Sequence, residues 1–161
     1  MITTIISFII SVLLEGILPN VLKNVNLFFI ICIIVMGNIN KKDENFFYLI
    51  CFIFGVIYDL MYTNAVFLHG FIYLFLAWLS NKILGKKKNF INMFFCYFIL
   101  IIIYVISLVL FTLPYKSYNI SKIIHLLCDG LIINVFYFIF VYLTYIVINC
   151  IFKNRLKKRS Y

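Results

Sequence analysis

Apolar residues run along this chain in long blocks, separated by short polar interruptions and without the polar/apolar alternation of barrel strands. The stretch 98–109 is apolar almost without a break. A membrane-spanning segment must satisfy its own backbone polar groups, so blocks of this kind predict helices. Measured against the roughly 20 residues that cross a bilayer, six spans are expected. The first covers residues 2–18 and ends at Pro19-Asn20. The second covers 21–36, with Lys23, Asn24 and Asn26 in its opening turns. A polar break at 38–45 carries Lys41, Lys42, Asp43 and Glu44. The third and fourth spans, 46–60 and 66–84, are followed by a sharp turn at Gly85 and Lys86 to Lys88. The fifth, 90–113, stops at Pro114; the sixth, 123–152, is long enough to require tilt, kink or protrusion.

Composition strengthens the membrane reading. The 161 residues are 66% hydrophobic and 12% charged, with a mean hydropathy of +1.13. Soluble domains sit near half apolar and a quarter charged, and a chain this short has no core large enough to hide the excess. Lipid removes the difficulty. The expectation is an all-α integral membrane protein with one transmembrane domain, 1–152, and a basic cytoplasmic tail, 153–161. The first segment lacks a basic leader and a small-x-small cleavage site, so it reads as a retained helix.

The net charge of +9 reflects topology and is no sign of nucleic acid. In the six-span arrangement only Lys23, Lys116 and Lys122 fall on one side. Lys41, Lys42, Lys82, Lys86, Lys87, Lys88 and the basic residues of the tail gather on the other. The positive-inside rule then puts both termini in the cytoplasm. Without a crossing by the second segment, Lys23 moves inward and the N-terminus outward; the charge count permits both, and six spans is the reading adopted. The tail also suits anionic lipid headgroups.

Candidate chemistry is sparse. Cys32, Cys51, Cys96, Cys128 and Cys150 lie apart in apolar stretches and read as packing residues. No nucleophile setting, Gly-rich phosphate loop or HExxH pair is present, so neither catalysis nor a cofactor is expected. Ionisable residues at membrane depth are the informative ones, because they are costly there. Glu15, Asp59, His69, His125 and Asp129 all fall toward the outer ends of their spans. His125 and Asp129, four apart, share a helix face. Thr3, Ser7, Ser11 and Glu15 form a stripe suited to helix packing. The five have the ligand types of a metal site but no ligand spacing; a pocket for a small polar substrate is a second reading. Polar contacts that pin helix ends or hold a partner are the reading preferred. Gly55 and Asp59 share one face, where Gly admits a close backbone. Asp59 is placed to accept from the exposed amides opening the fourth span, where the helix dipole favours an anion. Fixing that turn is its expected role, with partner binding second.

Phe54-Gly55-Val56-Ile57-Tyr58-Asp59-Leu60, a short turn, then His69-Gly70 opening an apolar helix resembles the rod-shape-determining protein MreD family. That family shows Gly-x-x-x-Asp-Leu, a small polar turn, a Gly and a long apolar helix. Leu14-Glu15-Gly16-Ile17-Leu18-Pro19 is similar to its first-helix ending. Length, helix number and the basic C-terminal end extend the resemblance over the whole chain. Glu15, where Gln or Asp is more usual, and His69, often Leu, are departures. The resemblance implies a non-catalytic scaffold of the cell-elongation and peptidoglycan-synthesis machinery in the bacterial cytoplasmic membrane. Its implied partners are MreC, RodA with its class B penicillin-binding protein, and indirectly MreB filaments. Gly55, Asp59, Gly70, Glu15 and Pro19, which lie in the matching motifs, together with His125 and Asp129 from the spacing of ionisable residues, are the candidate structural or interaction residues. The implied fold is a six-helix bundle like the substrate-binding subunits of energy-coupling-factor transporters, which makes such a capture subunit the alternative function. A turn of only 61–65 is too short for a lid and favours the scaffold; the loop 114–122 remains a candidate lid.

Overall fold

The computed structural model describes residues 2–21, 26–40, 43–63, 67–85, 89–112 and 120–158. Lys23 and Asn24, Lys41 and Lys42, Lys86 to Lys88, Pro114, Lys116 and Arg159 lie outside them, as does most of the candidate lid. The described residues form seven helices and no strand: α1 (Ile2–Val21), α2 (Phe29–Asn40), α3 (Glu44–Tyr62), α4 (Leu68–Leu84), α5 (Phe90–Thr112), α6 (Ile120–Cys128) and α7 (Leu131–Lys158).

The organising element is the shortest apolar helix. α2 packs against α1, α3, α4, α5 and α7, and every residue from Leu27 to Asn38 is buried. A helix that is apolar all round belongs in an interior, and Phe29-Ile30-Ile31-Cys32-Ile33-Ile34 has no polar face to offer a surface. The others surround it. α3 begins at Asp43, whose carboxylate accepts from the Asn45 amide at 3.0 Å, an ordinary N-cap.

Several boundaries differ from the apolar pattern. α1 continues through Pro19 to Val21; proline has no N–H to offer the Glu15 carbonyl four residues back. α2 starts at Phe29, eight residues later than expected, because Asn26 to Phe28 are non-helical. Their polar groups are held elsewhere: Asn26 N–H donates to the Asp129 carbonyl at 3.2 Å, and Phe28 N–H donates to Asn134 Oδ1 at 2.7 Å. The expected sixth helix is two helices. It breaks at Asp129-Gly130, where Gly130 adopts φ 87, a left-handed conformation open to glycine at little cost. α6 packs on α5. At the far end α7 runs on to Lys158, so no change of secondary structure marks the start of the basic tail.

Two helices, Glu44–Tyr62 and Phe90–Phe111, are long and apolar enough to cross a membrane. Thr4–Pro19, Phe29–Asn38, Leu68–Leu84 and Leu131–Val147 are apolar but shorter. The surface is apolar too: Leu60, Ile132, Phe136, Phe71, Ile91 and Phe140 are each at least 64% exposed. The interior, by contrast, holds Ser11, Asn38, Asp59, His69, Ser80 and Asn134.

Candidate functional site

The α3–α4 hairpin is the tightest helix pair, and its residues build the site. At Gly55 an added Cβ would collide with the His69 carbonyl oxygen and the Gly70 backbone, so only glycine permits this approach. Gly70 faces the same seam: its Cβ would meet the Val56 and Phe52 side chains at 3.0 and 3.2 Å. The chain enters α4 through Phe67 at φ 66, a conformation that costs a bulky L-residue about 1–2 kcal/mol. The Phe67 ring stacks on Phe52, with centroids 6.3 Å apart.

One helical turn beyond Gly55 lies Asp59, 1% exposed. Its Oδ2 accepts the His69 backbone N–H at 2.8 Å. Its Oδ1 accepts the Thr63 hydroxyl at 2.8 Å and lies 2.5 Å from His69 Nδ1. A carboxylate only accepts, so Nδ1 carries the hydrogen, and neutral imidazole presents Nε2 as acceptor to the Tyr104 hydroxyl, 3.1 Å away. The ring packs between Tyr58, Tyr73 and Tyr104, with centroid distances of 4.8, 5.7 and 6.0 Å. Asp59 thus ties three elements together: its own helix end, the first turn of α4 and, through His69, the middle of α5. The bond to the start of α4 is the one the helix-dipole argument expects. Burial makes each bond consequential, because an unpaired polar group there has no water to turn to.

Glu15 works on the opposite side of the same end. Its Oε1 accepts the Ile30 N–H at 2.7 Å, at the N-terminal turn of α2, where backbone amides are otherwise without helical partners. Ser11 of the same stripe also makes side-chain contacts. Ser11 Oγ donates to the Ser7 carbonyl and bonds the Tyr137 hydroxyl, both at 2.8 Å, which fastens α1 to α7. At the other end of the bundle, the Asn38 amide donates to Ser80.

Between α1, α3 and α5 opens a cavity of about 260 Å³. Glu15, Asn26, Tyr58 and Tyr104 supply its polar wall, while Phe28 and the α5 residues Val105, Leu108 and Val109 supply the apolar one. Pro19 lies at its edge. The structure therefore gathers four of the sequence-derived candidates, Glu15, Gly55, Asp59 and Gly70, at one end, with Pro19 beside them. His125 and Asp129 are not among the residues that line the cavity. These lie at the end of α6, their side chains 70% and 39% exposed, with Nδ1 and Oδ1 3.8 Å apart. The break at Gly130 puts that pair at the end of a separate short helix, joined to the α2 entry by the Asp129 carbonyl, which accepts the Asn26 N–H at 3.2 Å. Among the described residues no group of three His, Cys, Asp or Glu is arranged to hold a metal.

Sequence reasoning assigned no role to His69, Tyr58, Tyr104 or Asn134. His69 carried a signal, lying ten residues from Asp59 across a tight turn. Asn134 and Tyr104 carried none, because their partners are distant in sequence. Asn134 Nδ2 donates to the Asn26 and Gly130 carbonyls at 2.9 and 3.0 Å, closing the α6–α7 break over the non-helical entry to α2.

No family model, curated protein or solved structure matches the chain.

Proposed function

We propose that this chain is a multi-pass scaffold of the bacterial cytoplasmic membrane that serves cell elongation by binding MreC, in the manner of the MreD family it resembles. The observation that carries the reading is the Gly55–Asp59–Gly70 unit. The residues that carry the resemblance act together, packing α3 on α4 and fixing the turn between them. Their contacts are internal and leave the outward faces of the bundle apolar, as lipid or a partner helix requires. RodA, its class B penicillin-binding protein and, indirectly, MreB filaments are the further partners of this reading. It needs no catalytic step and no cofactor.

The membrane arrangement that fits is six crossings with both termini cytoplasmic: α1 to α5 and α7, with α6 lying at the outer end. α2 is the demanding case. Its 12 residues extend about 18 Å, short of the roughly 30 Å hydrocarbon core. Residues 26–28 add at most about 10 Å. Non-helical backbone at membrane depth is tolerated where protein buries and satisfies it, and this segment meets that condition. Asn134 takes the Phe28 N–H, and the Tyr97 hydroxyl donates to the Phe28 carbonyl at 3.3 Å.

A substrate-capture subunit of an energy-coupling-factor-type transporter is the second reading, and the cavity beside Glu15 is what favours it. Pull-down of the tagged full chain from its own membranes in mild detergent, with partners identified by mass spectrometry, separates the two. Recovery of MreC with RodA-type wall-synthesis proteins is expected. Recovery of an ATP-binding cassette pair with its transmembrane coupling subunit overturns the scaffold.

A further inference from the structure

We infer that a second, apolar cavity, walled by α5, α6 and α7, is a binding site for the acyl chain of a membrane lipid. The inference rests on the membrane arrangement proposed above and not on the binding of MreC. The cavity measures about 180 Å³. Phe28 borders both it and the cavity beside Glu15. Phe98, Ile101 and Ile102 line it from α5, and Leu127 and Leu131 close it from either side of the Gly130 break.

Water does not suit this space. A buried water needs about two to four polar partners, and the lining has one polar side chain, Asn134. Its Oδ1 accepts the Phe28 N–H at 2.7 Å. Its two Nδ2 hydrogens go to the Asn26 and Gly130 carbonyls at 2.9 and 3.0 Å. Every other lining side chain is hydrocarbon. Nor is the Phe28 wall free to collapse. Asn134 and the Tyr97 hydroxyl hold its backbone on both sides, and its ring stands edge-on to Tyr104, with centroids 5.9 Å apart. A cavity of about 150 Å³ lined by Leu, Ile and Phe stays dry and takes up a benzene-sized hydrocarbon. This one is slightly larger and has the same lining.

The mouth decides which hydrocarbon enters. Ile102 and Leu131 are 47% and 41% exposed, so the cavity opens on the apolar exterior of the bundle. In a membrane that exterior meets acyl chains, whereas a water-soluble ligand would first have to give up its hydration to reach the opening.

The test uses the full chain in a sterol-based detergent, whose rigid rings do not fit the cavity. Phosphatidylglycerol bearing a diazirine at the end of one acyl chain is added at rising mole fraction, and labelled residues are located by mass spectrometry after illumination. Labelling at Ile101 and Leu127 is expected to saturate and to be displaced by excess unlabelled phosphatidylglycerol. At exposed Phe136 and Phe140 it should rise in simple proportion to the probe. Leu127→Trp fills the cavity and is expected to lower labelling at Ile101 at least fivefold, with its thermal midpoint reporting that it is folded. Unsaturable labelling at the cavity, or undiminished labelling of folded Leu127→Trp, overturns the inference. The saturation comparison needs no variant, so it decides even where the substitution fails to fold. The same probe in native membranes tests the other occupant. Background labelling of the cavity there, with the isolated chain labelled, would mean that a partner's side chain fills it, and overturns the acyl chain. MreC binding is not read by this assay. Absence of label at every residue, Phe136 included, would deny the lipid-facing exterior together with the site.

Discussion

Asp59 places three hydrogen-bond donors on one buried carboxylate: the His69 amide, the His69 ring and the Thr63 hydroxyl. Asp59→Leu strands the two His69 donors, while the Thr63 hydroxyl keeps the residue-59 carbonyl at 3.3 Å, and a buried donor left without a partner costs about 1–3 kcal/mol. The expected loss is on the order of 3–5 kcal/mol, read as a large drop in the thermal unfolding midpoint in detergent and in cellular abundance. Asp59→Asn retains oxygen acceptance toward the His69 amide and is expected to lose much less. Equal midpoints for the Leu variant and wild type would remove Asp59 from its pinning role. Gly55→Ala drives a methyl into the α4 backbone, and an overpacked seam loses about 1–3 kcal/mol, measurable in the same melt. The spacing of Gly55 and Asp59 on one helix face was readable in the sequence, as was the helix dipole awaiting an anion. The partners of His69 were not, because Tyr104 meets it only after α5 has returned alongside α4.

Element boundaries were legible where polarity changes and illegible where it does not. The start of α3 at Asp43-Glu44 and the turn at Gly85 are marked by charge and glycine. The α6–α7 break interrupts an apolar run only at Asp129-Gly130, and an apolar count over the whole run sees one helix. α2 starts late for a different reason: Asn134, more than a hundred residues away, offers the Phe28 amide an alternative to helical bonding. Asn134→Leu is therefore expected to destabilise the bundle by about 1–3 kcal/mol through the orphaned Phe28 N–H; an unchanged midpoint contradicts that account of the α2 entry. The central place of α2 makes a contrast testable in the same assay. Ile34→Ala, at a fully buried position, should cost about 2–5 kcal/mol, whereas Ile132→Ala, 70% exposed, should stay within about 0.5 kcal/mol of wild type. Similar losses at both sites would mean that α2 is not the core element.

At the scale of the molecule, an apolar exterior surrounds an apolar core that holds a few hydrogen-bonded polar side chains, and so wide an exposed apolar surface is foreign to a soluble domain. Six crossings make one topological prediction that five do not. An epitope tag preceding Met1 should be reached by antibody only after spheroplasts are permeabilised; labelling of intact spheroplasts would place the N-terminus outside and deny α2 its crossing. The helical class and the hairpin motif were legible from the chain; the cavity was not, since α1, α3 and α5 supply its walls from distant parts of the sequence. The central claim is that this bundle is a scaffold for MreC. Its most direct test is to co-express the full chain with the MreC of the same genome and pass the detergent extract over a sizing column. The account predicts one co-migrating complex. A folded, monodisperse chain eluting apart from MreC would contradict it.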